Sequence, residues 1–112
     1  MKKIGFTEVE PYQAPLHFAC AALKLHGTPE SGVTKFWVGL SHFLPNGGAE
    51  YTYEDSPSEK VYVVLEGEVT VQSKTETFTL KKYDSIFIGP NEGRSILNKT
   101  NLPATMLVIV NY

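Results

Sequence analysis

The chain is nearly without cysteine. Cys20 stands alone, so no intramolecular disulfide can form, and nothing points to an oxidising compartment. In HFACAAL it has no cationic neighbour to promote the thiolate, and it reads as a small packing residue. Basic charge is also short: ten Lys and Arg against twelve Asp and Glu leave a formal net charge of −2. That balance argues against nucleic acid, because neutralising phosphates needs a concentrated basic patch. No apolar run approaches the roughly 18–20 residues of a membrane span. The opening MKKIGFTEVEPYQ carries two lysines but no apolar stretch after them, so it does not read as a secretory signal, and a cytoplasmic protein is expected. There is no P-loop, no dinucleotide fingerprint and no Ser-His-Asp or Cys-His grouping. Long helix candidates and internal repeats are missing as well.

What remains is strand-like. Gly, Pro, Asn and Asp recur at short intervals between segments rich in Val, Ile, Thr, Phe and Tyr, the pattern of an all-β sandwich or barrel. KFWVGLSHFL, 35–44, reads as a strand ended by Pro45-Asn46-Gly47. Strands 61–65 and 68–72 flank Glu66-Gly67, a two-residue hairpin signal. A second hairpin is expected across Ser73-Lys74-Thr75, joining 69–72 to 76–80. Short strands follow at 85–88 and 94–98. ATMLVIV, 104–110, is apolar without alternation and predicts a strand covered on both faces. HFACAALKLHG is open to a helical reading on alanine propensity; Gly27 and Gly32 favour a strand paired with 35–44. At 112 residues the chain is one domain, with 1–30 an extension packing on the barrel or on a partner, and 31–112 the barrel itself.

Two stretches carry a resemblance. KVYVVLEGEVTV, after the polar run GGAEYTYEDSPSE, and LKKYDSIFIGPNEGRSILN together resemble the two motifs of the cupin superfamily over 35–110. The resemblance implies a double-stranded β-helix, or jelly-roll, cupin barrel. By the family's spacing, the glutamate position counted back from Gly67 falls on Lys60. The two histidine positions fall on Glu54 and Ser56, or on Tyr53 and Asp55 with the longer spacing. Anchored on Asn98, the second motif's histidine position falls on Arg94, while Tyr83 and Asn91 stand where the family has glycines. The scaffold matches and the ligands do not. A divalent transition metal wants imidazoles and a carboxylate, whereas Lys and Arg are donors only. No metal and no other cofactor is therefore expected. Glu59 lies one residue from the glutamate position and would need a bulge to point inward.

Alternation puts Lys60 and Tyr62 on one strand face, and Arg94 and Asn98 on one face of another. If both faces turn inward, as the resemblance implies, the barrel holds a lysine, an arginine, a phenol and an amide. Such a set suits a small anionic or polar organic molecule, since arginine grips a carboxylate through paired hydrogen bonds and lysine adds a point charge. Tyr53, on the loop over the mouth, and His42, in parity with Val38 and Leu40, complete the expected ligand-binding set. Simpler roles stay open: a strand-end lysine with its ammonium in water, an Arg94 ion pair, an Asn98 that satisfies backbone groups, a packed His42.

Three function classes remain. One is binding alone. The second is a metal-independent isomerase, epimerase or lyase acting on a small acid or sugar derivative, of the kind the resemblance allows. There a desolvated lysine would serve as base or Schiff-base nucleophile, and Glu50, Glu54, Tyr51 or Tyr53 would move protons. The third is a ligand-sensing module. Phe36, Trp37 and Phe43 on one strand leave aromatic surface to cover, so a homodimer is expected.

Overall fold

One long strand organises the molecule. In the computed structural model, which describes residues 1–52 and 57–112, β2 (Phe36–Thr52) takes part in both halves of a single eight-stranded arrangement. Its first part pairs antiparallel with β8 (Ala104–Asn111), Phe36↔Asn111 through Phe43↔Ala104. Its second part pairs with β7 (Arg94–Leu97), Gly48↔Leu97 and Ala49↔Ile96. Along the opposite edge runs β1 (His17–His26), joined to β2 by the short helix α1 (Thr28–Ser31). Beyond β8 lie β3 (Lys60–Glu66) and β6 (Ser85–Ile88), and beyond β7 lie β4 (Val69–Gln72) and β5 (Thr77–Leu80). The order β5-β4-β7-β2-β8-β3-β6 is that of a jelly-roll barrel.

HFACAALKLHG is thus a strand of the sheet. The β4–β5 hairpin also forms, with the hydroxyl of Ser73 accepting from the N–H groups of Thr75 and Glu76. Two local expectations fail. Pro45-Asn46-Gly47 does not end the strand but turns its corner. Asn46 takes a left-handed φ of 65°, and its N–H donates to the carbonyl of Asn98, whose own N–H donates to Gly47 O at 2.8 Å. The glycines serve close approach here, since a Cβ would strike the Ala19 carbonyl from Gly47 and the Ile96 carbonyl from Gly48. Glu66-Gly67, in turn, makes no hairpin. Gly67 has φ +77°, yet β3 pairs with β6 and β8 while β4 pairs with β5 and β7. The chain crosses between sheets at this point, as a jelly roll requires.

The two family glycine positions keep their backbone shape without glycine: Tyr83 has φ 70° and Asn91 φ 61°. Asn tolerates this region, but a tyrosine there is strained. Its turn is held by Tyr83 N–H donating to Val64 O and Val64 N–H donating to Asp84 O.

Strand alternation then sorts the side chains. Phe43, Val64, Val69 and Ala104 fill one end of the barrel with no appreciable exposure. β8 does alternate: Ala104, Met106, Val108 and Val110 are buried, and Thr105, Leu107 and Ile109 only half so. Its outer face is therefore incompletely covered within one chain, contrary to the expectation of two covered faces.

Candidate functional site

The other end of the barrel is hollow. A cavity of about 210 Å³ is bounded by Lys60 and Tyr62 of β3, Arg94 and Ile96 of β7, and Trp37, Gly39, Ser41, Ala49 and Thr52 of β2, among others. The register explains the convergence. Lys60 pairs with Val110, which pairs with Trp37; Tyr62 pairs with Val108, which pairs with Gly39. Cross-strand partners share a face, so each set forms an inward row; at Gly39 a Cβ would meet the Leu23 carbonyl at 2.7 Å and the Trp37 ring at 3.1 Å, so glycine lets β1 and the indole pack close. From the other half, Arg94 enters opposite Thr52 and Ile96 opposite Ala49.

Lys60 is only 7% exposed and Tyr62 2%. Arg94 is half-buried, its Nε donating to Tyr62 Oη at 2.8 Å, with the guanidinium carbon 6.0 Å from that ring's centre. This bond fixes the phenol and the guanidinium relative to each other and leaves the terminal guanidinium nitrogens to be directed elsewhere. The walls are Trp37, Leu23, Ile96, Met106, Val108 and Val110. The N-terminal segment closes the mouth with Tyr12, Pro15, Leu16 and His17, and Lys24 lies over both the Tyr12 and Trp37 rings at 5.6 and 5.1 Å.

The cavity thus brings together three of the residues expected from the sequence, Lys60, Tyr62 and Arg94. It does not take in the others. Asn98 does turn inward but lies at the filled end, with no exposure; its Nδ2 donates to the carbonyls of Phe43, Leu44 and Leu102, and its Oδ1 accepts from Thr100 N–H and Oγ1. Its hydrogen-bonding capacity is spent on backbone and on Thr100. His42 stands on the outer face with Nδ1 3.0 Å from Thr105 Oγ1 and the ring edge-on to Phe6. The inward row of β2 is Gly39, Ser41 and Phe43, one residue out of phase with the parity of Val38 and Leu40. Tyr53 lies outside the described residues, as do Glu54, Asp55 and Ser56. Glu59 is exposed, its N–H donating to Asn111 Oδ1, and no bulge turns it inward.

His17 and Tyr12 belong to the cavity and are absent from the expected set. The register of β1 against β2 reveals His17, and an antiparallel bridge to Ala22 of β1 brings in Tyr12.

The donor chemistry does not suit the transition metal of the wider family. Among the described residues that line the cavity there is one imidazole, no carboxylate and two cations, and no group of three His, Cys, Asp or Glu comes together among the described residues. Elsewhere in the barrel, burial pushes the Cys20 thiol up from its ordinary value, partly offset by a hydrogen bond with Ser41. Burial also raises Tyr12, with the Cys20 and Glu30 charges adding to the effect. No helix among the described residues is long and apolar enough to cross a membrane.

Comparison with known proteins follows the architecture. A Mycobacterium tuberculosis protein named beta-D-galactosidase is 36% identical over 112 residues, covering 100% of this chain and 95% of that protein. Among solved structures, the polyketide cyclase RemF from Streptomyces resistomycificus superposes with a TM-score of 0.85 at 23% identity, over 99% of this chain and 79% of that one. A sugar phosphate isomerase from Silicibacter pomeroyi gives 0.82 at 18% identity, over 99% and 76%. These two likenesses concern the fold alone. The family model described as the cupin domain matches residues 39–110, and the chain therefore belongs to the cupin family.

Proposed function

We propose that the barrel interior binds a small, hydroxyl-rich organic acid of about monosaccharide size, such as a sugar acid or sugar phosphate, without a metal. One observation carries this reading: Lys60, Tyr62 and Arg94 line a single cavity, with Arg94 Nε tied to the phenol. Two cations and no described carboxylate favour an anionic group. Ser41, Thr52 and Tyr12 offer hydroxyls for the rest of the molecule, and Trp37 supplies an apolar face. Size points the same way. A volume of about 210 Å³ falls below the roughly 300–1,000 Å³ of pockets for drug-sized ligands and matches the space of about seven waters. Calorimetry with D-galacturonate and D-galactose 6-phosphate tests the reading. Arg94→Met and Lys60→Met are expected to weaken binding about 10–100-fold each, the worth of one charge-assisted contact. Equal affinity in both variants and the parent would end it.

A second reading has its own support in the galactosidase-named relative: turnover of a β-galactoside. Glycoside hydrolysis uses two carboxyl groups facing each other across the bond. The described lining offers none, Glu50 and Glu59 are exposed, and Glu54 and Asp55 lie outside the described residues. Release of p-nitrophenol from its β-D-galactoside, lost in Glu54→Gln or Asp55→Asn, would favour hydrolysis over binding alone.

We also infer a homodimer that buries the outer face of the larger sheet. Val38, Val61, Val63, Leu107 and Ile109 are brought side by side by the pairing of β2, β8 and β3, and Phe87 next to them is 58% exposed. A contiguous apolar area of this kind marks an association surface.

A further inference from the structure

The first strand carries an irregularity whose effect is to aim one side chain. In β1, Cys20 and Ala22 pair with Phe43 and Ser41 and belong to the inward face. By strict alternation His17 would then point outward. A register shift between Phe18 and Cys20 reverses the parity, so that His17 pairs with Ala49 and faces the cavity, while Phe18 faces out. Two non-glycine residues bracket the histidine in left-handed conformation, Leu16 at φ 61° and Ala19 at φ 45°. Each costs on the order of 1–2 kcal/mol in the backbone. Bulges that re-aim a side chain and strained backbone both gather at functional sites.

The ring is also oriented. His17 Nδ1 lies 2.7 Å from the Pro15 carbonyl. A carbonyl only accepts, so Nδ1 carries the hydrogen and Nε2 is left as the atom that gains or loses a proton. The turn that leads into β1 is itself pinned to the sheet, because Glu50 N–H donates to Leu16 O at 2.9 Å.

The register then sets out a binding gap. His17, Ala49 and Ile96 form one row across β1, β2 and β7, and Arg94 enters from β7 opposite Thr52. Two strand spacings separate β1 from β7, roughly 10 Å, and the small methyl of Ala49 stands between them. A ring-sized molecule fits that interval over Ala49, with the histidine on the β1 side and Ile96 on the β7 side, and with the Arg94 guanidinium entering two residues along β7. The groups sharing the cavity with His17 are Tyr12 from the N-terminal segment, Lys60 and Tyr62 from β3, and Arg94 from β7; Cys20 lies farther along β1, and Glu50 on β2 is exposed.

We propose that His17 is the proton-exchanging contact of this cavity, its Nε2 bonding the bound molecule opposite Arg94 and taking up a proton when an acid enters. The proposal rests on the anionic-ligand reading above. It adds a role that the ammonium of Lys60 and the guanidinium of Arg94 do not supply. An anionic ligand favours the imidazolium, so binding becomes linked to proton uptake in the range where histidine titrates.

Calorimetric titration with D-galacturonate, in buffers of differing ionisation heat between about pH 5 and 8, reads the proton directly. The parent is expected to take up a fraction of a proton per ligand. His17→Gln, whose amide reaches the Nε2 position, keeps affinity within about tenfold, one hydrogen bond's worth, and loses the uptake. Imidazole NMR of the unmutated protein gives the same reading without a variant: only the resonance missing from His17→Gln shifts on adding galacturonate. Unchanged proton uptake in His17→Gln, or a still imidazole in a saturated parent, overturns the assignment while the Lys60 and Arg94 reading stands. A parent that binds neither galacturonate nor galactose 6-phosphate overturns both.

Discussion

Asn98→Ala separates a structural amide from a ligand contact. The side chain is fully buried, and its Nδ2 serves three carbonyls: Leu102 at 2.8 Å, Phe43 at 3.2 Å and Leu44 at 3.3 Å. Its Oδ1 takes Thr100 N–H at 3.0 Å, and its backbone holds the corner of β2 from both sides. Alanine leaves the backbone bonds and removes the amide from the Phe43 and Leu44 carbonyls and from Thr100 N–H, while Leu102 O keeps Thr100 Oγ1 at 3.0 Å. At about 1 kcal/mol for each of those three lost contacts, the loss is about 3 kcal/mol. That is a large share of the roughly 5–15 kcal/mol that holds a domain together, and it corresponds to a drop of about 12 °C in Tm for a chain of this size.

Asn98→Asp sharpens the test. It keeps the shape but points an oxygen at three oxygens. A carboxyl so placed has its pKa raised by burial, and only its protonated form donates. Its contribution is therefore present at low pH and lost as pH rises through that raised value. Measured against Asn98→Ala at the same pH, the variant should melt higher near pH 4 and lose that advantage near pH 7. Thermal melts across pH, with galacturonate calorimetry well below each midpoint, measure both effects. A variant with unchanged Tm and lost binding would refute the structural assignment.

Three further outcomes are expected. Tyr83→Gly removes the left-handed strain, on the order of 1–2 kcal/mol, against about 0.5–1 kcal/mol of glycine entropy, so Tm rises by up to about 6 °C, whereas Asn91→Gly changes little; a lower Tm for Tyr83→Gly would refute the strain. Cys20, raised in the fold by burial, contributes stability that is complete below the ordinary thiol value of about 8.5 and lost as pH climbs through the raised one; Cys20→Ala should flatten that alkaline decline, and iodoacetamide should label the folded parent more slowly than the urea-unfolded chain. Light scattering should give twice the mass of one chain, and Phe87→Lys, at the exposed edge of the apolar face, should shift the population toward single chains; a parent that is monomeric throughout would remove the dimer.

Part of this is open to view in the sequence. Alternation in KVYVV and RSIL puts Lys60 with Tyr62 and gives Arg94 an inward face, because a period of two survives wherever a strand is regular. What escapes lies where strands are irregular. The parity of Val38 and Leu40 draws His42 inward, yet the interior row is Trp37, Gly39, Ser41 and Phe43, and its middle two residues carry no hydrophobic signal. Glu66-Gly67 looks like a hairpin because positive φ at glycine serves a tight turn and a crossover equally well; only the pairing partners distinguish them. His17 is hidden by a bulge at Ala19, and alanine carries no mark of left-handed backbone. Asn98 has the inward parity expected of it but at the packed end, a distinction that burial makes and alternation cannot.

The contrast between scaffold and site follows from where the geometry is held. The corner of β2 depends on Gly47, Gly48 and the Asn98 backbone, and the turn after β5 on Tyr83 reaching Val64. None of these residues belongs to the described cavity lining. Side chains at positions 60 and 94 can therefore change sign of charge without moving the strands that carry them, provided the new groups remain compensated by a ligand or a neighbour. The strained passage from Leu16 to Ala19 differs in kind: it lies at the cavity, bends the strand and contributes nothing to the packed end. Relaxing that bend by Ala19→Gly should ease the backbone cost and raise stability by up to about 1 kcal/mol. Because the bulge is fixed by the pairing of His17 with Ala49 and Phe18 with Gly48, galacturonate affinity should hold. Loss of affinity in a stabilised Ala19→Gly would mean that the stiffness of an alanine at this bend, and not pairing alone, keeps the imidazole in place.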